Sequence, residues 1–513
     1  MSHLPILPIL IPLVTAALLL TTHNAGTAGK RAVTLVSVLA LAAAAMALLV
    51  SASDGTIRVY RLGNWPAPYG IVLVLDRLAA IMVALTAVLA LPVALAAVSG
   101  TDTQGRHFHA TLQLQLVGLN GAFLTGDLFN LFVFFEILLL ASYVLLVHGG
   151  GAERMRAGLA YVILNLAGSA LFLIALGLIY GTLGTLNLAD LSIVLPQVAP
   201  GHQALVRTAA LLLVAVFLLK AALLPLGFWL PHVYTAVFLP VSVLFVIMTK
   251  VGIYALLRLS TIGFAAAPYT ADSLQPWLPW LAIATIAVGA VGAMAAERLA
   301  MVVANLVLIS SGTLLLGVAE SNVASTAAAL YYLVHTTIVT GALFLLVDAL
   351  ACQRGALADN IEKGPRLANL LTLGAVYLIL SIAASGAPPL SGFIGKLMVM
   401  QSLKDTSTAP IVWGGLLISG LVVAIVLARA ASSFFWEPGR PEKAALPTET
   451  APPPARGLSV ALMLMVAANP VLTLAAAPIA DYARATAEQL SARDTYVGAV
   501  LGSAARIQRE RRP

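Results

Sequence analysis

The sequence predicts an all-α polytopic membrane protein with about 14 transmembrane helices, ten of which form two inverted five-helix repeats. Of its 513 residues, 60% are hydrophobic and only 10% are charged, and the mean hydropathy is +0.98. Soluble globular proteins carry about 25% charged residues, so that class is excluded. The apolar runs are continuous and rich in Leu, Ala and Val, which indicates helices rather than the alternating strands of a membrane barrel.

A helix needs about 20 apolar residues to cross a bilayer, and runs of this kind follow one another along the chain. The predicted spans are residues 4–20, 32–50, 71–98, 110–126, 130–148, 157–181, 205–240, 241–260, 277–296, 300–319, 325–350, 367–403, 411–436 and 457–477. No basic segment precedes the first span, so it is predicted to be a retained helix and not a cleaved signal. The predicted segments are an N-terminal three-helix part (1–109), two five-helix repeats (110–260 and 277–436) and a C-terminal part (437–513) comprising a loop, the last span and a basic tail.

Two of these spans are interrupted by proline. Pro225 and Pro231 break the seventh span, and Pro388 and Pro389 break the twelfth. A broken helix at membrane depth is tolerated where protein or a wet cavity satisfies the freed backbone groups. Because the breaks are five spans apart, they predict two inverted repeats with the broken helix fourth in each, a pattern that marks ion sites in transporters. The alternative is that both breaks are ordinary kinks.

Four ionisable residues lie inside otherwise apolar spans or beside a break: Glu136, Lys220, Lys250 and Lys396. Each costs about 2.5–3.5 kcal/mol to insert, or roughly 10–14 kcal/mol together, so a functional reason is expected. A lysine can gain and lose a proton, and a neighbouring carboxylate stabilises its charged form. His335, inside the eleventh span, belongs to the residue type that titrates near neutral pH. These residues predict a buried proton path.

A purely structural interpretation is also open. Glu136 and Lys220 would then form a static ion pair, and Lys250 and Lys396 would extend to the membrane surface, although Lys250 is about ten residues into its span. Arg429 is predicted to extend to the surface in this way. Three acidic residues near span ends are expected to be interfacial anchors. They are Asp76, which is followed by Arg77, and Asp127 and Asp348. Asp127 precedes the helix that bears Glu136, so it is also a possible entrance for a proton or cation.

Several classes of chemistry are excluded by what the sequence lacks. The single Cys352 cannot form an internal disulfide framework or an iron–sulfur site. No phosphate-binding loop and no His-Glu-x-x-His motif occur, so nucleotide hydrolysis is not expected and no metal or other cofactor is predicted. A membrane enzyme using His335 or His232 would lack a nucleophile. The chain is therefore predicted not to be an enzyme.

The net charge of +7 is explained by membrane topology better than by nucleic-acid binding. Odd-numbered loops hold 12 Lys and Arg residues and even-numbered loops hold 3. The positive-inside rule then places both termini outside the cytoplasm. The tail after Ala477 opposes this orientation, because it carries the arginines Arg484, Arg493, Arg506, Arg509, Arg511 and Arg512. It is interpreted as a lipid-surface or subunit-docking segment.

Several segments resemble one protein family. The run Thr125-Gly-Asp-Leu-Phe-Asn-Leu-Phe-Val-Phe-Phe-Glu136 resembles the fifth-helix signature of the D subunit of Mrp/Pha-type multisubunit monovalent cation/proton antiporters. Further similar segments are Lys220–Pro225, Phe228–Pro231, Met248–Leu256, Tyr331–His335 and Pro388–Lys396. The resemblance spans nearly the whole chain. This family is related to the antiporter-like proton-pumping subunits of respiratory complex I, whose inverted repeats match the spacing of the two breaks.

The resemblance implies a role for each ionisable residue. Glu136 and Lys220 would be a coupled gate pair, Lys250 the central proton carrier, and His335 with Lys396 the continuation of the path. Many relatives carry a lysine where this chain has Thr340, so the second half of the path would depend more on His335 and internal water.

The resemblance also implies partners and location. The chain would exchange Na⁺ or K⁺ for H⁺ as one of several hydrophobic subunits in a bacterial-type inner membrane, in contact with lipid and not with nucleic acid. Two alternatives stay open. One is a proton-pumping subunit of a complex I-like or hydrogenase-linked assembly, and the other is a scaffold whose buried charges only fix helix packing.

Overall fold

The computed structural model describes residues 3–22, 26–271, 276–436 and 453–502, and helices dominate it. The helices are α1 (Leu7–Thr21), α2 (Thr27–Ala52), α3 (Arg77–Ala97), α4 (Phe108–Leu124), α5 (Leu128–Val147), α6 (Ala152–Leu183), α7 (Leu188–Val194), α8 (Pro200–Lys220), α9 (Trp229–Ala236), α10 (Leu239–Arg258), α11 (Pro268–Ala271), α12 (Leu278–Ala295), α13 (Leu299–Ala319), α14 (Val323–Arg354), α15 (Leu370–Ser385), α16 (Ser391–Ser402), α17 (Ala409–Ala431), α18 (Arg456–Leu474), α19 (Ala476–Ser491) and α20 (Arg493–Leu501). Most of the predicted loop 437–456 and the predicted tail arginines Arg506, Arg509, Arg511 and Arg512 lie outside the described residues.

Within the described residues, 12 helices are long and apolar enough to cross a membrane. The spans predicted at 110–126 and 367–403 correspond to α4, which has 17 residues, and to the interrupted α15–α16 pair. These two segments are not among the 12 and account for the difference from the 14 spans that the sequence predicts. The all-α membrane fold is confirmed.

Contacts between the connections group them on two faces of the helical bundle. One, which we call the hairpin face, holds His3 bonded to Tyr60 and the Gln489 amide bonded to the Gly55 carbonyl. Both ends of the described chain lie on this face.

On the opposite side, which we call the basic face, Arg31 pairs with Asp102 and His148 contacts the Thr101 carbonyl at 3.0 Å. The connections on this face correspond to the odd-numbered loops, where the sequence concentrates its basic residues.

A small β-hairpin replaces the start of the predicted third span. Strand β1 (Arg58–Arg61) pairs antiparallel with β2 (Val72–Leu75), and α3 begins only at Arg77. The prediction of a helix from residue 71 was wrong because the Val-Leu-Val-Leu run is wholly buried and therefore as apolar as a span. Such a short apolar run does not distinguish a strand from a helix.

Both spans that were predicted to be interrupted are broken. Helix α8 ends five residues before Pro225, and α16 begins two residues after Pro389. Side chains from other helices satisfy the freed amides: Leu224 N donates to Thr285 Oγ1 at 3.0 Å, and Ser391 N donates to Thr473 Oγ1 at 3.1 Å. Protein contacts therefore stabilise both interruptions.

The two halves share further local features. The α4–α5 junction pairs with the segment before α7 through Asp127 and Asn187, and the α12–α13 junction pairs with the segment after α14 through Arg298 and Asn360. The first bridge lies on the hairpin face and the second on the basic face. Helices α6 and α14 each have 32 residues. These features support the prediction of inverted repeats, which stays a prediction.

The last predicted span ends near residue 477, but the helical path continues beyond it. Helix α18 ends at Leu474, and α19 follows immediately and packs along α14. One side of α19 is buried through Ala483, Ala487 and Leu490, while Arg484 is on its exposed side. The described part of the tail therefore docks on its own chain.

Candidate functional site

Glu136 lies near the middle of α5 and is half-buried. Its carboxylate accepts a hydrogen bond from the hydroxyl of Ser169, which α6 presents to it. The aromatic residues Phe135 and Phe172 pack edge to face beside this contact, with ring centroids 6.0 Å apart. The carboxylate is therefore held against α6 in mostly apolar surroundings.

Lys220 is the last residue of α8, directly before the break, and only 5% of it is exposed. Its ammonium donates to Asn165 Oδ1 at 3.0 Å. Within the described residues no ion pair shorter than 4.0 Å joins it to Glu136. Asn165 and Ser169 are one turn apart on α6, so the predicted pair is connected through α6 and is not a direct contact. This geometry is not the static salt bridge of the structural interpretation.

Lys250 is completely buried in α10. Its ammonium donates to Thr249 Oγ1 at 3.3 Å and to Ser310 Oγ of α13 at 3.2 Å. The alternative in which Lys250 extends to the surface does not agree with this burial, because none of its side chain is exposed. A close approach of α10 to the α8 break depends on Gly252, where a Cβ atom would lie 2.7 Å from the Ala221 nitrogen.

His335 is buried in α14, and its Nδ1 lies 2.9 Å from the hydroxyl of Ser391, the first residue of α16. The histidine thus contacts the second broken helix at the point where it restarts. Gly392 makes this contact possible, because a Cβ atom there would lie 2.9 Å from His335 Nε2.

Lys396 is on α16, one turn beyond Gly392, and 8% of it is exposed. Its ammonium donates at 2.8 Å to the carbonyl of Ser385, the last residue of α15. It thereby joins the two sides of the break. A cavity of about 260 Å³ opens beside Lys396 and is also lined by Gly420 of α17.

Thr340 makes a contact that keeps it within its own helix. Its hydroxyl donates to the Thr336 carbonyl at 2.6 Å, one turn earlier in α14. It bridges neither His335 nor Lys396 in this conformation. That the second half of the proton path depends on His335 and internal water stays a prediction.

Asp127 caps the N-terminus of α5, accepting from the Asn130 amide at 2.9 Å. Burial raises the pKa of this carboxyl, although backbone hydrogen bonds from Asn130 and Phe129 oppose the effect. The capping contact gives Asp127 a structural role, and its role as an entrance stays a prediction.

Asp76 does not act as the surface anchor that was expected. Asp76 is buried and forms an ion pair with Arg258 of α10, in which one N–O distance is 2.6 Å. Arg429 is exposed, which agrees with its predicted extension to the surface, and it also donates to the carbonyls of Met294 and Ala296 at 3.1 and 2.9 Å, at the end of α12. The sequence offered no partner for either residue because both partners are more than 130 positions away.

Hydroxyl and amide side chains were missed in the sequence, yet they connect the ionisable residues to their surroundings. The missed residues are Asn165, Ser169, Thr249, Ser310 and Ser391. The available signal was polar residues on an apolar helix, and Asn165 and Ser169 are spaced so that both face the same side of α6. Within the described ranges, no group of three or more His, Cys, Asp or Glu residues could hold a metal ion.

Comparison with known families agrees with this arrangement. Residues 125–422, which contain all five predicted site residues, match the family model for the transmembrane subunits of NADH:quinone oxidoreductase and Mrp antiporters. The chain belongs to this family. The resemblance found in the sequence is thereby confirmed, and the protein is a multi-pass membrane protein.

Individual relatives match over almost their full length. The chain is 40% identical to the D subunit of a probable K⁺/H⁺ antiporter of Rhizobium meliloti, over 98% of each chain. It is 34% identical to the D subunit of a Na⁺/H⁺ antiporter of Bacillus subtilis, over 98% of this chain and 100% of the relative. A chain of the Mrp complex structure from Dietzia sp. superposes with a TM-score of 0.83, at 26% identity and over 98% of this chain and 100% of that one.

Proposed function

We propose that this chain is the proton-translocating subunit of a multisubunit monovalent cation/proton antiporter. The observation that carries the proposal is that the five ionisable residues of the two halves each contact a hydroxyl, amide or carbonyl group inside the helical bundle. Buried charges in membrane helices are costly and mark ion and proton pathways. The names of the relatives, which are those of K⁺/H⁺ and Na⁺/H⁺ antiporter components, support the same class of transport.

In this proposal, protons move between four clusters, which are centred on the Glu136–Lys220 pair, on Lys250, on His335 and on Lys396. Glu136 communicates with Lys220 through Ser169 and Asn165, because both partners lie on the same face of α6. Lys250 is the central carrier, and its contacts with two hydroxyl groups leave it able to give up its proton without breaking a salt bridge.

In the second half, His335 and Lys396 continue the path on either side of the α15–α16 break. Transfer between clusters requires water or movement of the side chains. Among the residues that the structure describes, none bonds the buried Ser311 hydroxyl beside Ser310, and an unpaired buried hydroxyl is a place where water binds.

The proposed setting is the inner membrane of a bacterial-type cell, where the chain assembles with other hydrophobic subunits. Its energy source is the proton-motive force and not nucleotide hydrolysis or a chemical reaction, so the protein is a transporter component and not an enzyme. The basic face would lie in the cytoplasm by the positive-inside rule, which places both termini outside. That both ends of the described chain share the hairpin face supports this topology.

The test is dye-monitored exchange in everted vesicles that contain the complete complex, with Na⁺ and K⁺ added separately. Movement of protons that depends on either cation supports the proposal. Affinity purification of the same complex separates the related alternative: quinone-reducing or hydrogenase subunits among the partners, without cation-dependent exchange, would indicate a respiratory assembly. A scaffold would tolerate loss of Lys250 without any change in exchange.

A further inference from the structure

A cavity outside the proposed proton path opens on the basic face. Its volume is about 450 Å³, and it lies between the last turn of α1, the first turns of α2 and the segment that leads into α4. The polar residues that bear on its chemistry are Thr27 and Lys30 of α2, and Asp102, Arg106, His107 and His109 around the start of α4. None of the five proposed path residues lines it.

The cavity has an excess of positive charge. The carboxylate of Asp102 accepts two hydrogen bonds from Arg31, at 2.6 and 2.9 Å, so that pair is neutral overall. His109 Nε2 also lies 3.2 Å from the carboxylate. Burial alone would raise the pKa of Asp102, but Arg31 and His109 outweigh it and hold that pKa below its ordinary value. Lys30 and Arg106 bring two further positively charged side chains to the lining of the cavity.

An apolar surface continues from the cavity along the outside of α1. Leu19 of the last turn of α1 lines the cavity, and its neighbours Leu18 and Leu20 are each 46% exposed. On α2, Val36 is 67% exposed and lies less than two turns beyond Lys30. A ligand that suits both regions is an amphiphile with an anionic head and apolar tails.

We propose that this cavity binds the phosphate headgroup of an anionic phospholipid, with Lys30 and Arg106 facing the phosphate and the acyl chains lying against α1 and α2. Basic pockets between transmembrane helices are suited to such headgroups. A free phosphate ion would use the same two cations but would make no use of the exposed leucines. The bound lipid would connect the start of α2, through Lys30, to the segment before α4, through Arg106.

The first test measures lipid retained by the purified complex with native mass spectrometry and lipid extraction. Phosphatidylglycerol is added to delipidated complex, and phosphatidylcholine serves as the comparison lipid. The double variant Lys30→Ala/Arg106→Ala should bind phosphatidylglycerol about thirtyfold more weakly, since each basic residue near an anionic lipid contributes a comparable part. The matched control Arg156→Ala/Arg366→Ala removes two exposed basic residues from the same face and should bind normally.

The outcomes separate the possible occupants. Equal lipid binding by the double variant and the control would overturn the proposal, as would equal binding of phosphatidylcholine and phosphatidylglycerol by the wild-type complex. Inorganic phosphate is added in a competition experiment, and displacement of the lipid at equal concentrations would show a soluble-anion site instead. If the double variant does not assemble, the single variant Arg106→Gln, in an exposed loop position, provides the same comparison with an expected weakening of about fivefold.

Discussion

Lys220 donates its hydrogen bond to Asn165 of α6 and not to Glu136. One turn further along the same helix, Ser169 donates to Glu136. Helix α6 thus supplies one polar side chain to the carboxylate and one to the ammonium. A change in the position of α6 would alter both contacts together, which offers a physical route for coupling a carboxylate on α5 to a lysine at the end of α8.

We expect Asn165→Leu to reduce exchange at least about tenfold, because it leaves a buried ammonium without its neutral acceptor. The measurement is dye-monitored exchange in everted vesicles at matched expression. Thr182→Ala is the control, since Thr182 is also on α6 but bonds only within its own helix. Equal activity of the two variants would show that α6 does not connect Glu136 to Lys220.

Glu136→Ala should abolish exchange, whereas Glu136→Asp should retain part of it. The alanine variant removes the buried negative charge, while aspartate keeps the charge but withdraws it by one methylene from Ser169. The two variants are compared by initial exchange rate across a series of cation concentrations. Full activity of the alanine variant at normal abundance would remove Glu136 from the path.

Lys220→Arg should fail substantially even though it preserves the positive charge. Arginine does not release its proton in proteins, so it can contact Asn165 but cannot pass a proton onward. Lys404→Arg is the control, because Lys404 is exposed. If Lys220→Arg transports at a near-normal rate, Lys220 has an electrostatic or structural role and not one in proton exchange.

The approach of Lys396 to the second break predicts a steric phenotype at Gly420. A Cβ atom at Gly420 would lie 2.8 Å from the Ser385 carbonyl oxygen and 3.2 Å from Lys396 Nζ. Gly420→Ala should therefore disturb this hydrogen bond and lower exchange about tenfold or more, because a charged hydrogen bond contributes about 1.5–3 kcal/mol. Gly414→Ala on the same helix meets nothing within 4 Å and should be neutral. Equal rates for both glycine variants would show that the Lys396 contact is dispensable.

The membrane fold and the two interruptions could be predicted because long apolar runs and prolines act locally. The ionisable residues stood out for the same reason: a charge in an apolar span is visible without knowing its neighbours. Their partners could not be identified. Asn165, for instance, is 55 positions from Lys220, and a single polar residue on a helix carries no signal for the residue it will meet.

The errors also have a common physical origin. The buried strand Val72–Leu75 has the composition of a span, and only its pairing with Arg58–Arg61 distinguishes it from one. Asp76 and Arg258 lie near helix ends, where anchoring is the usual role, but they are buried against each other. Contacts between residues far apart in the sequence determine the structure at these positions, and hydropathy alone does not predict such contacts.

The central claim is that Lys250 carries protons, and Lys250→Met tests it most directly. Methionine keeps most of the side-chain length and removes an insertion cost of about 2.5–3.5 kcal/mol, so assembly should survive. Membrane abundance and subunit co-purification are measured beside dye-monitored exchange across a pH series. We predict normal assembly with exchange lost at every pH, whereas normal assembly with normal exchange would contradict the claim that protons pass through Lys250.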